Sequence, residues 1–468
     1  MRNTFYSFLI YGAGEILARL VSFLGFLVLA RTLSKGDYGL LESYVVTIGV
    51  IGVVGSAGLN NALQAFYYSK DEYAAIGESR RVSTAFYTLL IWQVGLIIPY
   101  ALVAMLADFS QSIETGLLLP FIALLTIQLQ LMQDVFRLRF QPIKYLISTL
   151  LSKGGVAIVA VGAVLMGGGV NSYLWGYALA ILVSFLMMVF FLRDDLWQSF
   201  HPDLAKSMLR YGLPFILVGI GSWAYSSLDR WLLARLSNMS AVGDYAFAVR
   251  ISFLVGFLSL AFGQAWAPMV FKLKESRPTD YRAVYADASL SFTLVIAILA
   301  AAISIFAPEM EELMFRGKYK EALPAIFLLC FAAVVQSTTH FTAIGISLSR
   351  KTRYFAMFTW LVAFISLLGN SVLIPHWGIN ATALMSFFSA TILSFLYFLV
   401  SQKNYRMRFL LRDVGWFTFL ICYLFIGSLV LVLTSIPFIS IGLKIFFLTP
   451  AMIGSIIFLK RMMLRYAR

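Results

Sequence analysis

The sequence predicts an all-α polytopic membrane protein of about 14 transmembrane helices, arranged as two parallel six-helix lobes plus two additional C-terminal helices. Three observations carry that prediction: an apolar composition, long apolar runs between short charged clusters, and a repeat near the middle of the chain. Hydrophobic residues make up 60% of the chain and charged residues 12%, about half the charged share of a soluble domain. Each apolar run is long enough, as a helix, to cross a hydrocarbon core of roughly 30 Å. The runs lack the period-two alternation of a membrane β-barrel.

In chain order the runs place helices at 6–31, 39–66, 84–107, 116–138, 143–167, 172–192, 211–236, 241–271, 285–307, 323–349, 354–374, 378–400, 414–435 and 440–460. An even number puts both termini on one side. The loops on that side hold most of the Lys and Arg residues, including Arg80, Arg139, Arg193, Lys274 and Lys351; the opposite loops hold few, such as Arg31, Lys35 and Lys318. Basic loops stay in the cytoplasm. Both termini are therefore expected to be cytoplasmic, in the cell inner membrane. The same bias accounts for a net charge of +14 without nucleic acid. Cys330 and Cys422 lie in apolar runs and read as small core side chains, not as a disulfide or metal pair. A cleavable signal peptide is not expected, because the first run is long, carries Glu15 and Arg19, and lacks an obvious cleavage site.

The segment RDDLWQSFHPDLAKSMLR (193–210) spaces Leu196, Trp197, Phe200, Leu204 and Met208 almost helically between charges. It reads either as a short surface helix or as a solvated linker. On both sides of it the chain repeats itself. YGAGEILARLVSFLGFLVLARTLSKGDYG starts at Tyr11, and YGLPFILVGIGSWAYSSLDRWLLARLSNMSAVGDYA starts at Tyr211. Tyr-Gly, Leu-Ala-Arg and Gly-Asp-Tyr recur in the same order at the same points of the topology. The starts are six spans apart, so the halves run parallel. The expected organisation is an N-lobe at 1–192, a linker at 193–210, a C-lobe at 211–400 and two further spans with a basic tail at 401–468. Parallel lobes suit alternating access about a site between them.

The stretches ARTLSKGDYGLLE, YGLPF, SSLDRWLLARL, VGDYAFAVRI and FGQAWAPMVFK resemble the polysaccharide transporter (Wzx-like) family of lipid-linked oligosaccharide flippases. That family lies within the multidrug/oligosaccharidyl-lipid/polysaccharide exporter superfamily. The resemblance covers about residues 1–400 in layout and is most specific at 211–272. It implies a two-lobed carrier that moves an undecaprenyl-pyrophosphate-linked oligosaccharide from the cytoplasmic to the periplasmic leaflet. Membrane lipid, a coupling cation (H+ or Na+), a polysaccharide polymerase and chain-length machinery are the implied partners. A lipid II flippase or a cation-coupled multidrug exporter of the same superfamily stays open. A membrane glycosyltransferase or polymerase would need a large outer loop or an acid–base constellation, and the outer loops are short. There is no catalytic, cofactor or metal motif, and no phosphate-binding loop, so an ion gradient or the membrane potential would drive transport.

Ionisable residues within spans usually mark a pathway. Glu15 and Arg19, at i and i+4, share a face of the first helix; that face must turn from lipid, as an ion pair or as a cavity wall. Arg19, Lys153, Arg230, Arg250 and Gln336 are the expected substrate path, where Arg would present forked donors to a pyrophosphate. Glu15, Glu42, Asp229 and His340 are the expected coupling or structural groups. Snorkelling to water would explain Glu42, which lies nearer the outer surface. Ser222, Ser226 and Asp229 share a stripe on the seventh span, and Gln336 and His340 a face of the tenth. Gln128, Gln130, Gln133, Asp134 and Arg137, and separately Asn60, Asn61 and Gln64, make the inner ends of spans four and two polar enough to line an inward mouth or to meet the headgroups.

Overall fold

The computed structural model describes residues 2–68, 76–106, 113–276, 281–349, 351, 353–404, 407, 409–433 and 441–466. The described residues are helices and their connections, with no strand among them. They form two compact units, Met1–Trp231 and Leu232–Arg468. Ten helices among the described residues are long and apolar enough to cross a membrane. Each expected span falls on helix, but two of the spans are broken.

The first unit contains α1 (Arg2–Thr32), α2 (Lys35–Gly55), α3 (Leu59–Tyr67), α4 (Glu78–Leu106), α5 (Ile113–Leu138), α6 (Pro142–Gly155), α7 (Val161–Leu165), α8 (Val170–Phe191), α9 (Arg193–Leu196) and most of α10 (Pro202–Leu236). A π-helical turn, Val156–Ala160, joins α6 to α7 within one span. Ser34 starts α2 by accepting the Asp37 amide at 3.0 Å, the usual role of an N-cap hydroxyl. The single helix expected over 39–66 is two. At the break, the Ser56 hydroxyl donates to the Val53 carbonyl at 2.8 Å. Ala57 and Gly58 then take positive φ, 47° and 65°. Past that corner α3 is amphipathic: Leu59, Ala62, Leu63 and Tyr67 are buried, while Asn61, Gln64, Ala65 and Tyr68 are exposed.

The linker resolves into the single turn α9 and the first turns of α10, which extends the seventh span back to Pro202. Leu196, Leu204 and Met208 are buried, and Trp197 is exposed. The repeat puts this helix at the head of the second half, yet it packs along α2. The indole N–H of Trp223 donates to the Val46 carbonyl at 3.1 Å, and that of Trp231 to the Thr47 hydroxyl at 3.3 Å. At the other end of the seam two backbones touch. A Cβ on Gly212 would lie 2.4 Å from the Ala57 carbonyl oxygen, and one on Gly58 only 2.1 Å from the Gly212 oxygen.

The second unit holds α11 (Met239–Ser276), α12 (Tyr281–Phe315), α13 (Leu323–Ser337), α14 (Thr339–Thr342), α15 (Ile344–Leu348), α16 (Arg353–Asn404), α17 (Leu411–Leu433) and α18 (Ile441–Tyr466). Asn238 caps α11 by accepting the Ala241 amide at 2.8 Å, as Ser34 caps α2 in the first repeat. The expected helix 323–349 is three pieces. Ser337, Thr338 and Thr339 donate their hydroxyls to the carbonyls three residues back, each at 2.6 Å. Three consecutive side chains thus compete for the carbonyls of the helix, which weakens its continuity. α16 contains the two expected spans 354–374 and 378–400. Gly378, at φ 52° and ψ −127°, reverses the chain, and Phe355 meets Tyr397 at a ring distance of 5.3 Å. α18 is fastened to α12 by Lys444, whose buried ammonium donates to the Ile305 carbonyl at 2.8 Å and pairs with Glu309.

The glycine seam makes a direct prediction. Gly212→Ala forces a methyl group into the backbone at Ala57. It should destabilise the detergent-solubilised protein by about 2 kcal/mol, the scale of overpacking. Thermal unfolding measures this; an unchanged midpoint would contradict the seam.

Candidate functional site

Two of the polar clusters expected from the sequence meet in the first unit. Asn60, in the first turn of α3, donates its amide to Asp134 Oδ2 of α5 at 2.8 Å. Arg137, one turn further along α5, donates to Asp134 Oδ1 at 3.3 Å. Gln64 reaches the same carboxylate. Asp134 is buried, and an ionised carboxylate is tolerated there only if donors surround it. Arg137 also donates to the Tyr145 hydroxyl of α6, and its guanidinium lies over the Tyr145 ring at 4.4 Å. Its far side remains 48% exposed. Gln133 extends the cluster toward α6 by a 3.5 Å contact with the Ser152 hydroxyl. The helix break at Ala57–Gly58 sets this geometry, because it turns α3 so that one face packs on the core and the other carries the amides.

Beyond this cluster a second network ties the ends of α3, α4, α5 and α9. Arg139 grips Asp195 with two bonds of 2.7 and 2.6 Å and donates its Nε to the Tyr67 hydroxyl at 2.9 Å. Tyr67 in turn donates to Glu78 at 2.9 Å. Arg81 caps α3 by donating to the carbonyls of Phe66 and Tyr67 at 2.8 and 2.6 Å, where the last carbonyls of a helix lack partners. Burial by itself would raise the pKa of Asp195. Hydrogen bonds from Arg139 and Ser79 and the charges of Arg139 and Lys144 outweigh it and hold the carboxyl below its ordinary value.

The residues named from the sequence are distributed over both units. The side chain of Glu15 lies outside the described residues, although its backbone is in α1. Arg19 on α1 and Lys153 on α6 are half-buried, and neither is free. Glu42 does not snorkel: it is 6% exposed and accepts the Tyr38 hydroxyl at 3.0 Å. Asp229 and Arg230 are half-buried. The Arg230 amide donates to Asp229 Oδ1 at 2.8 Å, whereas its guanidinium reaches back to the Ser226 carbonyl at 3.4 Å. Arg230 Nε is buried with no hydrogen-bond partner among the described residues. Ser222 and Ser226 on the same helix are exposed.

In the second unit Arg250 is half-buried and is not free. Gln336 is exposed, and His340 meets the Ser259 hydroxyl of α11 at 3.1 Å through Nε2. The continuous face expected for Gln336 and His340 is interrupted by the break at Thr338. Beside that break lies a cleft of about 310 Å³, whose walls include Thr293, Thr338, Phe341, Thr342, Thr391 and Ser394. The sequence did not point to this cleft, because it needs hydroxyls from three separate helices.

A family model described as polysaccharide biosynthesis protein matches residues 28–324. The probable low-salt glycan biosynthesis flippase Agl15 of Haloferax volcanii is 22% identical over 422 residues, covering 87% of this chain and 84% of that protein. The uncharacterized membrane protein MJ1068 of Methanocaldococcus jannaschii is 25% identical over 195 residues, 40% of this chain and 38% of that protein. The fold matches the lipid II flippase MurJ in an inward closed conformation with a TM-score of 0.71 at 13% identity, covering 98% of this chain and 100% of that one. It matches an inward-facing multidrug resistance MATE family transporter of the MOP superfamily with a TM-score of 0.64 at 14% identity, covering 85% and 95%.

The Arg139–Asp195 pair predicts an acid limit. Its contribution is complete above the unfolded carboxylate pKa of about 3.9 and is lost as pH falls through the lower folded value. Unfolding midpoints should be flat with respect to this pair at neutral pH and drop below about pH 4. Asp195→Asn should cost about 3 kcal/mol at pH 7, since it strands the Arg139 charge, and should flatten the acid limb. An unaltered acid limb in the variant would exclude the pair as its source.

Proposed function

Because the chain belongs to the polysaccharide biosynthesis protein family, we propose that it is a flippase for a lipid-linked oligosaccharide. The proposed substrate is an oligosaccharide joined through pyrophosphate to a polyprenyl lipid, moved from the cytoplasmic to the outer leaflet. The amide of α3, the carboxyl and guanidinium groups of α5 and the tyrosine hydroxyl of α6, gathered together, are the observation that carries this reading. Hydrocarbon would not answer the exposed amides beside them, Asn61 and Gln64; a polar cargo and the water around it would. The fold common to a lipid flippase and a multidrug transporter supports a carrier that opens to each side in turn; the sequence repeat and the basic loops are the ground for proposing two lobes at 1–192 and 211–400 and both termini in the cytoplasm.

Under this reading no bond is broken. The glycan and pyrophosphate exchange hydration for protein side chains, and the polyprenyl tail stays in lipid. Arg19, Lys153, Arg230 and Arg250 supply positive charge along the path, and Gln336 a neutral contact. Arg230 suits the role, because its Nε lacks a partner among the described residues and a phosphate oxygen would supply one. The sequence has no nucleotide-binding loop, so a cation gradient or the membrane potential drives the cycle, with Glu15, Glu42, Asp229 and His340 as the coupling groups. A polysaccharide polymerase would consume the product.

Deleting the gene should remove surface glycan and leave the lipid-linked precursor in the inner leaflet. Precursor in the outer leaflet at wild-type level would refute the proposal. At matched expression, Arg230→Ala should lower surface glycan about tenfold, the loss of one charge-assisted hydrogen bond of about 1.5 kcal/mol; unchanged display would remove Arg230 from the path.

A further inference from the structure

We infer that the α3–α5 cluster is a subsite for the glycan part of the cargo, not for its phosphates; this rests on the flippase reading above. Arg137, the cation of the cluster, is already engaged by Asp134 at 3.3 Å. Arg137 is further engaged by the Tyr145 hydroxyl and ring. A pyrophosphate would meet a guanidinium that is already committed, with the carboxyl group of Asp134 beside it. Phosphate recognition calls for uncommitted cationic donors, and this cluster does not offer them.

Asn60, Asn61 and Gln64 are side-chain amides, each with two donors and a carbonyl acceptor. Asn60 spends a donor on Asp134 at 2.8 Å, and its carbonyl oxygen can accept from a ligand. Asn61 and Gln64 lie on the exposed stripe of α3. Vicinal sugar hydroxyls both donate and accept, and planar amides and carboxylates answer both needs in one plane. Amides beside a committed guanidinium suit a polyol.

Aromatic rings stand beside the amides. Tyr68 continues the stripe of Asn61 and Gln64 one turn on and is 54% exposed. Its hydroxyl donates to the Leu138 carbonyl, which fixes the ring. Tyr211, at the start of the α2–α10 seam, is 44% exposed and sits edge-on to Phe66 of α3 at 5.8 Å. Exposed aromatic faces held next to amide groups give the C–H face of a sugar ring something to lie on. A helix end that merely approached lipid headgroups would need neither the buried carboxylate nor the fixed rings.

The test uses the full-length protein in lipid nanodiscs with two soluble probes. One is the reducing oligosaccharide released by mild acid from the lipid-linked pool of the host cell. The other is inorganic pyrophosphate. The wild type should bind the oligosaccharide, and Asn60→Ala with Gln64→Ala should weaken that binding about tenfold, as two lost hydrogen bonds would, with pyrophosphate binding unchanged. Asn61→Ala, on the exposed stripe, supplies a variant that leaves the Asp134 contacts intact and should weaken the oligosaccharide several-fold. Wild-type affinity for the oligosaccharide in both variants, no oligosaccharide binding by the wild type, or a fall in pyrophosphate binding instead would overturn the inference. Failure of the wild type to flip the intact lipid-linked glycan in vesicles would sink the flippase reading; flipping with unaffected variants sinks the glycan subsite alone.

Discussion

Hydrocarbon offers no partner to a polar group, so every interruption of a helix in this chain has to be answered by another part of the protein. That constraint organises the structure. The corner at Ser56–Gly58 is closed by a serine hydroxyl and by the backbone of α10 at Gly212. The indoles of Trp223 and Trp231 find partners across the same seam, one a backbone carbonyl and the other a threonine hydroxyl. Lys444, buried near one end of α18, is held by a carbonyl and a carboxylate of α12. The same rule makes polar groups informative where the protein answers them only in part.

The break after α2 therefore has two consequences. It lets α3 set its apolar face on the core of the first unit, and it turns the amides of α3 toward Asp134. A straight helix through 39–66 would keep Asn60 and Gln64 on one face but carry them onward along the axis of α2. The cost is a corner with two positive-φ residues, one of them Ala57, where a side chain is strained. The Arg139–Asp195 and Arg81 contacts then close the free end of α3, so the amide-bearing helix is anchored at both ends.

Much of the fold was legible in the sequence, since hydropathy and turn residues alone place each span on helix. The structure extends the repeat to its caps: Ser34 and Asn238 do the same work at the heads of α2 and α11. The breaks were less legible. The small residues of GVIGVVGSAG (49–58) permit close packing and bending alike; the close approach of Gly58 to Gly212 joins positions far apart in the chain. The three hydroxyls of STT at 337–339 carried a signal in their side chains that apolar periodicity masks. Asn60 and Asp134 were each visible as polar residues, yet their pairing joins positions 74 residues apart, and a single sequence does not encode that pairing locally. Glu42 shows the opposite error: depth alone suggested escape to water, whereas Tyr38, one turn earlier on α2, supplies its donor.

The account stands on an aqueous chamber that reaches the amides of α3 and that the cargo fills. Cysteine accessibility at Gln64 tests it most directly. In a Cys422→Ser background, which removes the exposed native thiol and keeps the buried Cys330, Gln64→Cys is treated with a membrane-impermeant thiol reagent in inside-out membrane vesicles. The account predicts rapid labelling that slows when the lipid-linked oligosaccharide is present. Absence of labelling under both conditions would place this face of α3 against lipid and contradict it.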